Sequence, residues 1–130
     1  MSPVARRRLF SLRDRLASFG PALRGLRLLV AAEHNARIHA AITVIVVALG
    51  AVSGLDRLEW SLVVVAAATV WLAEALNTAV ERLADAVSLE RRPLLGQAKD
   101  LAAAAVLLAA LGAVLVGLFV FGPRLVRLLG

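Results

Sequence analysis

The stretch "WSLVVVAAATVWLAEALNTAVERLADAV", residues 60–87, decides what kind of molecule this is. Its opening run, "WSLVVVAAATVWLA", suits a lipid interior but is too short to cross one, since about 20 apolar residues span a hydrocarbon core of ~30 Å. Glu74 then interrupts. No Gly or Pro stops a helix before Val87, so continuing as helix through Glu74, Asn77, Glu81 and Asp85 supplies the missing length and carries the C-terminal end into water. At ~100° per residue, with Glu74 as zero, Asn77 falls at about −60°, Thr78 at about +40°, Glu81 at about −20° and Asp85 at about +20°. The acids therefore form one stripe. With Trp60 at the outer interface, where tryptophans anchor membrane helices, Glu74 lies ~21 Å in and Glu81 ~32 Å in. One carboxylate is inside the inner leaflet and the other is at its aqueous border.

The rest of the chain agrees with a membrane reading. Of its 130 residues, 61% are hydrophobic, more than a water-soluble domain of this size can hide. Eighteen residues without formal charge separate Arg37 from Asp56, and 23 separate Asp100 from Arg124; each interval is one crossing. The pattern predicts an all-α membrane protein with transmembrane helices near 36–54, 59–88 and 99–122. Trp71 sits deeper than Trp60, as an anchor or on a lipid-facing groove. Pro93 is expected to fix the loop before the third helix, and the Ala- and Gly-rich third helix packs closely against its neighbours.

The formal charge of +6 reads as topology rather than as a nucleic-acid surface. Twelve of the fifteen basic residues lie before the first crossing or around the second loop, and three lie on the other side. The positive-inside bias places the N-terminus and second loop in the cytoplasm and the C-terminus outside. Residues 1–31 form a separate cytoplasmic arm. Leu9, Leu12, Leu16, Phe19 and Leu23 recur at spacings of three and four, lining one face of a helix that lies in the membrane surface, with Gly20-Pro21 expected to divide it. No apolar core of a cleaved signal peptide is expected in this arm, whereas an Arg-rich organelle presequence stays open on the residues alone. The chain has no cysteine, which removes disulfides, thiolate ligands and thiol nucleophiles. His34 and His39 are too few and too poorly supported for a zinc site.

An acid inside a membrane helix costs ~2.5–3.5 kcal/mol on insertion scales and usually faces a bundle interior or wet cavity as part of a functional site. Polar residues can also serve as glue between helices, a role that amides fill better than several like charges. Carboxylates at two depths suit a reaction joining a water-soluble anion to a lipid. Border acids hold a divalent cation through oxygen, and an acid in the leaflet takes a proton from a lipid hydroxyl. Phosphoryl transfer fits these needs, although neither a P-loop nor a kinase Gly-rich loop is present. Two other classes stay open on the residues alone: a small oligomeric transporter using Glu74 as a proton or cation carrier, and a non-catalytic membrane assembly subunit.

"AEALNTAVERLAD" at 73–85, "GQAKDLAAAAVLLAA" at 96–110 and "EHNARIH" at 33–39 together resemble the small bacterial diacylglycerol kinase and undecaprenol kinase family. The likeness spans residues 18–121, with all segments in order at compatible spacing. The resemblance implies a kinase domain over 32–130 in the bacterial cytoplasmic membrane, assembled as a homotrimer with active sites shared between subunits. It further implies Mg²⁺ with ATP as phosphoryl donor and a membrane lipid alcohol, undecaprenol or diacylglycerol, as acceptor. Carried over by position, Glu74 matches the general base and Asn77 the amide that positions it. Glu33 and Glu81 match metal-binding acids that also contact ATP, as do Glu90, Lys99 and Asp100. Arg37 and Ala103, with Glu74, fall on the lipid side. Ala103 stands where the best-known diacylglycerol kinase has Ser, and "SLERRPLLG" around Glu90 departs from other members. Arg13, Arg15 and Arg24 are candidates for the arm's contact to ATP.

Overall fold

In the structure, a computed structural model that describes residues 17 and 19–129, four helices follow one another. They are α1 (Phe19–Ala32), α2 (His34–Ser53), α3 (Arg57–Val87) and α4 (Pro93–Leu129). The last three are each long and apolar enough to cross a membrane. Buried apolar side chains such as Leu29, Val63, Val70 and Val120 are few, while Val44, Val52, Leu72, Leu107 and Phe119 point outward. That distribution suits acyl chains and neighbouring helices rather than water. The early repeat of Leu9, Leu12 and Leu16, with Arg13 and Arg15, lies outside the described residues.

Each junction has a local cause. Glu33 breaks α1 from α2 by adopting extended backbone, with φ −104° and ψ 123°. Gly54 ends α2 in the left-handed region, φ 63° and ψ 51°, and donates its N–H to Gly50 O; only glycine takes that conformation without strain. Asp56 then caps α3. Its Oδ1 accepts from Glu59 N at 2.9 Å and Glu59 Oε2 accepts from Asp56 N at 2.9 Å, a reciprocal box that satisfies two otherwise orphaned donors. Pro93 opens α4 at the first helical position, where its missing N–H leaves nothing unsatisfied.

Helices α3 and α4 form the principal antiparallel pair. Glu59 meets Arg124, Val63 shares a cluster with Val120, and Asp85 meets Lys99, all on one register. Across the other interface Trp60 approaches Gly50, Trp71 meets Thr43, His39 meets Glu74 and Arg82 approaches Glu33. The packed core of Leu55, Val63 and Val120, with Val46, Trp60, Val116 and Phe121 against it, lies near the α2–α3 turn. Arg124 clamps that end: it donates to both Glu59 carboxylate oxygens at 2.7 and 2.6 Å, to Ser53 O at 3.3 Å and to Val120 O at 2.7 Å. Polar groups gather at the opposite end, around the start of α2 and the α3–α4 loop.

The observed helices correct several expectations. The third crossing, expected near 99–122, belongs to a helix running Pro93–Leu129, because a helix that has left the hydrocarbon continues in water through Lys99, Asp100 and Arg127. Pro93 is the first residue of that helix rather than a loop element. Gly20 and Pro21 fall at the start of α1 as described, and the earlier half of the arm that they were expected to set apart lies outside the described residues. Trp60, read as an interfacial anchor, also packs into the core against Gly50. Trp71 donates its indole N–H to Thr43 Oγ1 at 3.1 Å.

Candidate active site

Glu74 is 2% exposed, the largest fully buried side chain among the described residues. Helical periodicity explains the company it keeps. Thr78, one turn on, is also buried, and Asn77 and Glu81 are half-buried on the same side. Asn77 Nδ2 donates to Glu81 Oε1 at 3.1 Å, which fixes the two on one face. The stripe read from the sequence thus turns toward protein at Glu74 and toward the polar border at Glu81. Asp85, exposed, leans to α4, where Lys99 Nζ donates to its Oδ1 at 2.6 Å.

Helix α2 supplies the facing wall. His39 Nε2 stands 2.9 Å from Glu74 Oε1. That oxygen nonetheless lacks an aligned hydrogen-bond donor, so the contact is electrostatic, with the ring N–H turned off the line between them. Lower down, Arg82 NH2 is 3.9 Å from Glu33 Oε1, which brings Glu33 to the height of Glu81. Asn77 Oδ1 is buried without a partner. Hence Glu33, at the α1–α2 junction, and Glu81, on α3, face the same polar end, with the buried Asn77 Oδ1 one turn deeper.

The other residues singled out by sequence fall in two places. Glu90 and Lys99, with Asp85, Ser88 and Arg92, line a cleft of about 460 Å³ at the α3–α4 loop, bounded by the start of α4. Glu90 N donates to Ser88 Oγ at 3.1 Å. Asp100 is exposed outside that cleft, and Glu33 and Glu81 do not line it. Arg24 and Arg37 are exposed. Ala103 is exposed on α4, at the height of Glu81 on the register set by Asp85 and Lys99. An apolar cavity of about 480 Å³ lies between α2, α3 and α4, and His39 is among the residues that line it. Among the described residues, no three His, Asp or Glu side chains gather into a self-sufficient metal site.

Sequence reasoning missed the contact between His39 and Glu74 and the clamp of Arg124 on Glu59. Periodicity within one helix carries no signal for either, since both need the register between helices. Thr43 was also unmarked; it donates to His39 O at 2.7 Å while accepting from Trp71.

Fold and site together define a small polytopic membrane protein in which a buried acid sits one to two helical turns below a polar border carrying further acids and bases. The family model of prokaryotic diacylglycerol kinase matches residues 20–121. The undecaprenol kinase of Bacillus subtilis (strain 168) is 34% identical over 108 residues, covering 83% of this chain and 88% of that protein. The diacylglycerol kinase of Synechocystis sp. is 36% identical over 115 residues, covering 88% of this chain and 66% of that protein. The chain belongs to the prokaryotic diacylglycerol kinase family and is a membrane lipid kinase.

Proposed function

We propose that the chain transfers the γ-phosphate of ATP to the hydroxyl of a membrane lipid alcohol, either undecaprenol or diacylglycerol. The enzyme works in the bacterial cytoplasmic membrane with the N-terminus in the cytoplasm and the C-terminus outside. The observation that carries this reading is Glu74, a carboxylate 2% exposed in an apolar helix, with Asn77 and Glu81 following it toward the border. An acid kept there at a cost of ~2.5–3.5 kcal/mol needs a use that an apolar side chain cannot fill.

Glu74 takes the proton of the lipid hydroxyl as its oxygen bonds to the γ-phosphorus and the bond to the β-phosphate bridging oxygen breaks, releasing ADP. Asn77 positions the reacting groups. Glu33 and Glu81, with the free Asn77 Oδ1 nearby, would hold Mg²⁺, which takes one or two carboxylates and completes its shell with water and phosphate oxygens. When bound, Mg²⁺ offsets phosphate charge. Lys99 and Glu90 contact the nucleotide from the loop cleft, while Arg37 and the space left by Ala103 border the lipid. Glu33 and Glu81 lie outside the cleft that Glu90 and Lys99 line within one chain. That separation supports active sites that combine residues of neighbouring subunits, as in the homotrimer that the family resemblance implies.

Incubation of the purified protein in mixed micelles with γ-labelled ATP and a panel of lipid alcohols tests the proposal. Label on undecaprenol or diacylglycerol supports it and identifies the acceptor. Failure to label any lipid alcohol contradicts it.

A further inference from the structure

Glu74 faces α2, and its carboxylate needs a donor there. On α4 the residues at its height are Ala109 and Ala110, and α4 carries no charge between Asp100 and Arg124. On α2 the group within reach is His39. Its Nε2 stands 2.9 Å from Glu74 Oε1 without an aligned hydrogen bond, and catalytic hydrogen bonds poorly aligned before substrate binds tighten in the reacting complex. The ring's own helix is pinned to α3 one turn away. Trp71 Nε1 donates to Thr43 Oγ1 at 3.1 Å, and Thr43 Oγ1 donates to His39 O at 2.7 Å. Trp71 and Glu74, one turn apart on α3, thereby meet Thr43 and His39, one turn apart on α2. The His39 side chain is 19% exposed and borders the apolar cavity as well as Glu74.

We propose that His39 is a positioning residue for Glu74, steering the carboxylate toward α2 beside the apolar cavity, where a lipid hydroxyl arrives, with Thr43 and Trp71 fixing the ring's helix. The proposal rests on Glu74 acting as the acceptor of that hydroxyl's proton. His39 need not touch the substrate. A ring held beside the carboxylate before the lipid enters keeps the base from rotating to a misdirected position, and small misplacements of a reacting group are costly to rate.

The test uses the full chain in mixed micelles with Mg-ATP and an acceptor lipid phosphorylated by the wild type. His39→Leu fills the space without a donor, and His39→Gln restores an N–H. His39→Leu should lower kcat about 10- to 100-fold while leaving the KM for Mg-ATP near wild type, and His39→Gln should recover most of the loss. Should His39→Leu not fold, Thr43→Val is the second variant, expected to lower kcat with unchanged KM. Wild-type kcat in His39→Leu, or equal losses in His39→Leu and His39→Gln, would overturn the proposal. So would wild-type kcat in Thr43→Val where that variant stands in. Glu74→Gln assayed alongside separates the two levels. Inactive Glu74→Gln with undiminished His39→Leu removes the role of His39 alone, whereas fully active Glu74→Gln removes the base and the positioning role with it.

Discussion

Replacing Glu74 by Gln should move activity and stability in opposite directions. Gln keeps the volume of the side chain and removes its charge and basicity. General-base catalysis contributes about 10²–10⁴-fold, so a loss near the middle of that range, about 10³-fold in kcat, corresponds to about 4 kcal/mol of transition-state stabilisation. For the fold the sign reverses. Glu74 is 2% exposed and lies ~21 Å along the helix from Trp60, where an ionised acid costs ~2.5–3.5 kcal/mol. The His39 contact at 2.9 Å returns only part of this, as hydrogen bonds to charged groups contribute ~1.5–3 kcal/mol even when well aligned. Gln still presents an amide oxygen to the same ring nitrogen. The variant should therefore be as stable as the wild type or more stable by about 1 kcal/mol. The assay is lipid phosphorylation in mixed micelles, paired with thermal unfolding of the same preparation. A Glu74→Gln protein that keeps more than about a tenth of wild-type kcat while unfolding at lower temperature would refute the reasoning and leave the acid as helix glue.

Gly50 and Arg124 test the packing that holds the site. A Cβ at Gly50 would stand 2.8 Å from Trp60 Cη2 and 3.0 Å from Leu55 Cδ1. Gly50→Leu should therefore destabilise by about 1–3 kcal/mol, as overpacked cores do, which thermal unfolding reads directly. Arg124→Gln severs the contacts to both Glu59 oxygens and to Ser53 O; it should lower the unfolding temperature and leave the KM for ATP unchanged, because the clamp lies at the opposite end of the bundle from the candidate nucleotide residues.

The membrane crossings were legible because charge-free length is a direct measure of hydrocarbon thickness. Helix ends were not, since the same α4 that crosses the membrane continues into water at both ends, and charge marks where lipid stops rather than where hydrogen bonding stops. For the candidate site, a 3.6-residue period sufficed to put Glu74, Asn77 and Glu81 on one face. That one segment could be read alone because helix geometry fixes its faces. His39 illustrates what such a reading cannot supply. A lone histidine in an apolar helix acquires a partner only when α2 and α3 take up a register, which depends on Trp60 settling against Gly50, Trp71 finding Thr43 and the Gly54 turn setting where α3 begins. The link between Arg124 and Glu59 is similar: each reads as an isolated interfacial charge until α3 and α4 pair.

The division of labour along α3 is tested most directly by Mg²⁺-dependent ATP binding to Glu74→Gln and Glu81→Gln, measured at equilibrium without lipid acceptor. Glu74→Gln should bind Mg-ATP with nearly wild-type affinity, and Glu81→Gln should bind at least about tenfold more weakly, a difference of ~1.4 kcal/mol. Equal losses of affinity in the two variants would contradict the separation of a lipid-facing base from a nucleotide-facing border.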